Sequence, residues 1–166
     1  MPAAPLRSWQ AVTIDAPLEA VWEYGSDLSR IPDFHPRVDK VELIDGRSRR
    51  APGVRYKCHL RGGRHTCVER DVEVVPMERI VTALPEDTFG VARLLPDYQV
   101  ETTLKREGAG RTRIEFRHYY SIRGWKARLF HWIASRRIAK ESQVTLNAMK
   151  RAIEAQSPKP LSRGVL

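Results

Sequence analysis

The sequence predicts an α+β protein: a seven-stranded antiparallel sheet, two short helices after the first strand, and one long C-terminal helix across the concave face. Three observations carry this. Segments between positions 38 and 123 alternate apolar and polar residues, with short turn-rich stretches between them, as in an antiparallel meander. A single helical period of about 31 residues closes the chain and spans about 46 Å. Residues 15–36 replace alternation with Asp, Pro and apolar residues at i,i+3 spacing.

The elements follow in order. RSWQAVTID (7–15) sets Trp9, Ala11 and Thr13 against Val12 and Ile14, a strand. Asp15 is placed to cap the helix that follows, and Pro17 suits its first turn. Val21 and Tyr24 share a face there, with Trp22 beside them. A second helical piece starts at Asp27 and ends by Pro32 or His35-Pro36. VDKVELI (38–44) is a strand and DGRSRRAP (45–52) a loop. GVRYKCHLR (53–61) opposes Val54, Tyr56, Cys58 and Leu60 to Arg55, Lys57, His59 and Arg61. HTCVERDVEVV (65–75) and RIVTAL (79–84) are further strands. Residues 85–96 form a long connection whose Phe89 and Leu94 suit a lid. DYQVETTLKRE (97–107) and RTRIEFRHYYSIR (111–123) flank Gly108-Ala109-Gly110. The helix runs from about Trp125 to Ala155, and Ser157-Pro158 stops it. This reads as one domain over 7–157 with tails at 1–6 and 158–166.

At 166 residues, 42% apolar and 30% charged, the chain is an ordinary globular protein. It has no apolar run of about 20 residues and no signal-like h-region, so the expected compartment is the cytoplasm. The net charge of +9 favours anionic partners. The basic residues are dispersed and accompany no nucleic-acid motif, so nucleic acid is not an expected partner. The five histidines lack HxH or HExxH spacing and the two cysteines lack CxxC spacing, so no metal is expected. No P-loop, dinucleotide or GxSxG fingerprint occurs, and no cofactor is expected.

Strand register decides what enters the interior. A three-residue loop at 108–110 sets Leu104 opposite Ile114, Thr102 opposite Phe116, Val100 opposite His118 and Tyr98 opposite Tyr120. The apolar sets then coincide and carry Tyr98, Thr102, His118 and Tyr120 inward. At Gly62-Gly63 two registers compete. A two-residue turn pairs Cys58 with Cys67 and Tyr56 with Glu69, and sends Glu69 and Asp71 inward. A three-residue loop pairs Cys58 with Val68, Tyr56 with Arg70 and Val54 with Val72. The second is preferred, because each buried valine gains roughly 1.5–3 kcal/mol. It keeps the cysteines on opposite faces and brings Arg70 inward, facing an anionic group or reaching solvent along its stem.

Four stretches resemble one family. VTIDAPLEAVWEYGSD (12–27) carries its Ala-Pro…Val-Trp opening. DFHPRVDKVEL (33–43) is similar to its aromatic–His–Pro turn, REGAGRTRIEF (106–116) to its late Gly-rich hairpin, and LNAMKRAIE (146–154) to its terminal helix. The chain thus resembles the START-like, SRPBCC superfamily, and within it the polyketide cyclase/dehydrase and lipid-transport-like proteins. The resemblance implies a helix-grip fold with a cavity between sheet and helix. It implies no single activity, since members range from lipid carriers to aromatase/cyclases.

The residues suggest a mostly apolar pocket with a few polar anchors. Tyr56, Arg70, Tyr98, Thr102, His118 and Tyr120 would supply the polar points. Tyr24, Phe34 and Trp125 would stand at the mouth, with Phe89 and Leu94 on the lid. His118 is the candidate general acid/base and Tyr120 its companion; equally, His118 is a core histidine satisfied by a tyrosine. The helix start RGWKARLFHWIASRR (123–137) mixes aromatic and basic residues. Read as interfacial, it allows a transient contact with an anionic membrane. Read as structural, it places Trp132, Leu146, Met149 and Ile153 inside. The leading function is binding of a hydrophobic small molecule with an acidic or carbonyl group. The alternatives are a cyclase/dehydratase and a lipid or quinone delivery protein.

Overall fold

The computed structural model describes residue 2 and residues 4–156. Leu6–Ile14 (β1) leads to Leu18–Gly25 (α1), a 3-10 turn at Leu28–Arg30 and Ile31–Phe34 (α2). Val38–Leu43 (β2), Arg55–Leu60 (β3), Thr66–Val75 (β4) and Arg79–Asp87 (β5) follow. Val91–Leu94 (α3), Gln99–Arg106 (β6), Thr112–Tyr119 (β7) and Trp125–Gln156 (α4) complete the chain. The Ser157-Pro158 stop and the 158–166 tail lie outside the described residues.

One antiparallel sheet runs β1-β7-β6-β5-β4-β3-β2, so the meander closes with β1 laid beside the last strand. Register shifts occur between Leu6 and Ser8, Val38 and Lys40, Val68 and Arg70, and Asp71 and Glu73. Such bulges bend a strand and raise its twist, and they curve this sheet around α4. The result is the helix-grip arrangement. Leu146, Met149 and Ile153 recur at helical spacing on α4 and are buried against Ile14, Val21, Leu28, Val54 and Ile114. Trp132 does not join them; it is exposed, which corrects the expectation that it packs inside.

Two local expectations are also corrected. Asp15 does not cap α1: Pro17 occupies the N-cap, and the Asp15 amide instead donates to Glu154 Oε1 at 2.7 Å. The connection after β5 is built by Asp87, whose carboxylate accepts from the amides of Phe89, Gly90, Val91 and Ala92 and nucleates α3.

The Gly62-Gly63 hairpin adopts the register that was not preferred. Cys58 faces Cys67 and Tyr56 faces Glu69. Both glycines have positive φ, +90° and +68°, and the Gly63 amide donates to the Leu60 carbonyl (3.0 Å) within a tight loop over residues 61–64 that keeps this register. The valine argument fails because Val68 and Val74 stay half-buried in this register and only Val72 is largely exposed. The inward acids, which seemed the obstacle, find partners described below.

Candidate functional site

The β6–β7 hairpin holds the register read from the sequence: Leu104 pairs with Ile114, Thr102 with Phe116 and Val100 with His118. His118 therefore points inward from β7 and is buried. Tyr98 Oη lies 2.8 Å from its Nδ1, and Ser142 Oγ, from α4, lies 2.7 Å from its Nε2. A neutral imidazole donates at one nitrogen and accepts at the other, so the two hydroxyls take opposite roles. Burial pushes the His118 pKa down to about 4, which keeps the ring neutral at pH 7. The Tyr98 ring stacks on Tyr120 with centroids 5.8 Å apart, and Tyr120 Oη reaches His131 Nδ1 of α4 at 3.4 Å. Burial, with Glu69 and Tyr120 nearby, pushes the Tyr98 phenol up.

A second polar group lies across the sheet. Arg50, from the β2–β3 loop, donates through Nη1 to Tyr56 Oη (2.9 Å), Asp71 Oδ1 (2.7 Å) and Thr82 Oγ1 (3.3 Å). Its Nε donates to the Gly25 carbonyl at 3.2 Å. Nη2 makes no hydrogen bond among the described residues. Tyr56 donates onward to Glu69 Oε2 at 2.6 Å, and Thr82 to Asp71 Oδ1 at 3.0 Å. Burial opposes the Arg50 charge, but Tyr56, Asp71 and Glu69 around it outweigh that and hold it cationic. Burial pushes the Asp71 carboxyl up, with Arg50 and Thr82 opposing. Its Oδ2 is buried without a partner among the described residues. One cation thus serves two inward carboxylates.

A narrow cavity of ≈ 50 Å³ separates α1 and α4 from β5, β6 and β7. Its walls are Val21, Trp22, Gly25, Phe34, Ile80, Leu104, Ile114, Phe116 and Met149, with Arg50 and Thr102 as the polar members. Of the residues read from the sequence, Phe34 and Thr102 line it. Tyr56 is buried within the Arg50 group, and Tyr98, His118 and Tyr120 form the hydroxyl–imidazole chain. Arg70 does not enter the interior: it faces Arg55 across the β3–β4 ladder and is exposed, because the hairpin register turns it outward. Tyr24 faces a larger, shallow hollow of ≈ 240 Å³ with Glu23, Asp27, Arg30 and Arg49. There, Arg49–Glu23 and Arg30–Asp27 ion pairs cover the surface. Phe89, Leu94 and Trp125 are exposed, with Phe89 edge-on to His65. His35 keeps a buried Nδ1 without a partner among the described residues, and burial lowers its pKa.

Sequence reasoning missed Arg50, Thr82 and Ser142, and it set aside the register that brings Glu69 and Asp71 inward. The signal was present: a Gly-Gly turn that buries two acids demands a cation, and the 45–52 loop offers three arginines. It also missed that Cys58, Cys67 and Glu69 bring three metal-ligating atoms within 4.8 Å of one another. Strand pairing, rather than a spacing motif, assembles that group. Both thiols are free, and the Cys58 thiol is pushed far up by its hydrogen bond to Cys67 and by burial.

A family model described as polyketide cyclase / dehydrase and lipid transport matches residues 7–154. No curated protein sequence matches the chain. Among solved structures, the Zhui aromatase/cyclase from Streptomyces sp. R1128 superposes with TM-score 0.70 at 20% identity, covering 93% of this chain and 98% of that one. BexL, a di-domain ARO/CYC of the BE-7585A biosynthetic pathway, gives 0.72 at 18% identity over 91% of this chain and 47% of that one. A START superfamily protein from Mycobacterium smegmatis gives 0.61 at 12% identity over 92% and 97%. At these identities the likeness establishes the fold.

Proposed function

The chain belongs to the polyketide cyclase / dehydrase and lipid transport family, and from that premise we propose that it binds a hydrophobic small molecule between sheet and helix, with an oxygen-bearing end, acidic or carbonyl, directed at Arg50. The observation that carries this reading is the cavity wall itself: apolar side chains on nearly every side and one largely enclosed guanidinium whose Nη2 has no protein acceptor among the described residues. A mostly apolar hollow with one polar anchor is the composition of a ligand site. The volume, ≈ 50 Å³, is far below the ~300 Å³ of common ligand pockets, so occupancy requires the wall to move. The wall is suited to that, because Met149 is flexible and α1 and α2 are short, separate pieces.

A binding role fits His118 better than proton transfer does. Both imidazole nitrogens are occupied by protein hydroxyls, and a pKa of about 4 makes the ring a weak base at neutral pH. The cyclase reading rests on Arg50, which would polarise a substrate carbonyl from the same wall.

The test is saturable binding of a panel of medium- and long-chain carboxylates and aromatic ketones, read by displacement of a fluorescent hydrophobic probe. One-to-one binding is expected, and Thr102→Phe, which fills the cavity, weakens it at least ~10-fold while the protein stays folded. Absence of saturable binding across the panel, or a filled variant that binds as well as the parent, refutes the proposal. Turnover of a poly-carbonyl substrate that Arg50→Lys abolishes would instead favour the cyclase.

A further inference from the structure

The first three turns of α4 are apolar on the wrong side. Its inward face at His131, Ser142, Leu146 and Met149 is occupied by the interior. The solvent-facing side carries Trp125, Leu129, Trp132 and Ile133, at i, i+4, i+7 and i+8, and these are 72%, 66%, 59% and 55% exposed. Farther along, the same outward stripe becomes mainly polar with Arg136, Lys140, Asn147 and Arg151, interrupted by the single exposed Val144. The apolar patch is therefore local and not a property of the whole helix.

Its surroundings extend it. The segment leading into α4 is tied to the one leaving α3, through Ser121 N to the Pro96 carbonyl (2.8 Å) and Ser121 Oγ to Asp97 Oδ2 (2.8 Å). This brings α3, with Leu94 at 62% exposed, to the same end of the molecule. No helix among the described residues is long and apolar enough to cross a membrane. The α4 stripe is too short to do so, but it has the composition of a helix that lies on one.

Charge identifies the partner. Between positions 123 and 140 the sequence has six basic residues and no acid. Arg128 and Arg137 flank the apolar stripe, and the Arg136 guanidinium sits 4.1 Å from the centre of the Trp132 ring. A two-fold contact with a second copy would set these cations against their own equivalents. We infer that Trp125, Leu129, Trp132 and Ile133 form a docking face for an anionic phospholipid bilayer, with tryptophans at headgroup depth and the flanking arginines on lipid phosphates. Aromatic rings flanked by cations are the pattern of interfacial helices. The inference stands on this exposed face and does not depend on what occupies the cavity.

The test is co-sedimentation of the full chain with vesicles of phosphatidylcholine alone and of equal parts phosphatidylcholine and phosphatidylglycerol, at low and high salt. Binding to the mixed vesicles only, weakened by salt, is expected. Trp125→Ser with Trp132→Ser loses it by roughly ten-fold or more. Trp9→Ser, an exposed tryptophan on β1, binds as the parent does. Arg128→Glu with Arg137→Glu gives a second, charge-based loss and decides the matter if the tryptophan variant fails to fold. A parent that ignores mixed vesicles, binds neutral ones equally well, or binds undiminished in both double variants overturns the inference. So does a concentration-dependent dimer that the tryptophan substitutions abolish, which would assign the face to a second copy.

Discussion

Ser142 Oγ stands 2.7 Å from His118 Nε2, so a buried imidazole joins the long helix to β7. Burial, rather than the hydrogen bonds to the two hydroxyls, is what disfavours the charged ring. In the unfolded chain this ring titrates near 6.5 and in the folded one near 4. Between those values the unfolded state holds a proton that the folded state does not, so stability is complete above pH 6.5 and falls as pH drops toward 4. The full effect is about 3 kcal/mol. Urea unfolding across this range should show that His118→Phe, though less stable at pH 7, loses less on acidification than the parent. Parallel curves for the two proteins would sink the assignment.

Arg50 neutralises two inward acids, and removing it leaves both uncompensated. Arg50→Met should cost about 3–5 kcal/mol in equilibrium unfolding. Pairing it with Asp71→Leu should cost clearly less than the sum of the two single changes, since one orphaned charge goes with the other. Additive losses would show that the two side chains do not act together.

Cys58 and Cys67 are buried, and the hydrogen bond between these two free thiols together with burial disfavours the Cys58 thiolate. In the native protein both thiols should react with a disulfide reagent slowly, at a rate that urea increases. Immediate reaction of two thiols without denaturant would contradict the packing.

Gly62 and Gly63 hold the left-handed conformation that fixes the β3–β4 register. Alanine at either should cost about 1–2 kcal/mol, the strain of a Cβ in that region. Gly110→Ala makes a control, because its added Cβ meets nothing within 4 Å and its φ is not in that region. Equal costs at all three positions would argue against the turn as the determinant.

The strand meander, the grip helix and the last hairpin were legible because alternation and a three-residue turn both pointed to one register. The β3–β4 hairpin misled because its pattern is ambiguous. Counting valines favoured one register, while a cation about twenty residues upstream of the acids decided for the other. Arg50 reads locally as one of several loop arginines, and only the folded chain shows it bonded to β3, β4 and β5. Arg70 was misplaced for the same reason. Ser142 lacks any local signal: a serine within a helix declares a role only when His118 stands opposite. Trp132 was assigned inward with Leu146, Met149 and Ile153 as one amphipathic face, and it does lie roughly 40° from Leu146 around an ideal helix, yet it is exposed.

The loop that bears Arg50 is strapped to the short-helix layer, through Arg50 N to the Ser26 carbonyl at 3.0 Å and Leu28 N to the Ser48 carbonyl at 2.8 Å. Gate and counter-charge are therefore one piece of chain. If α1 swings outward to admit a guest, the guanidinium travels with it, and the bared carboxylates beneath must capture protons from solvent. Entry of a neutral guest would then register in calorimetry as a heat that changes with the ionisation enthalpy of the buffer, and a buffer-independent heat would mean that the arginine stays behind.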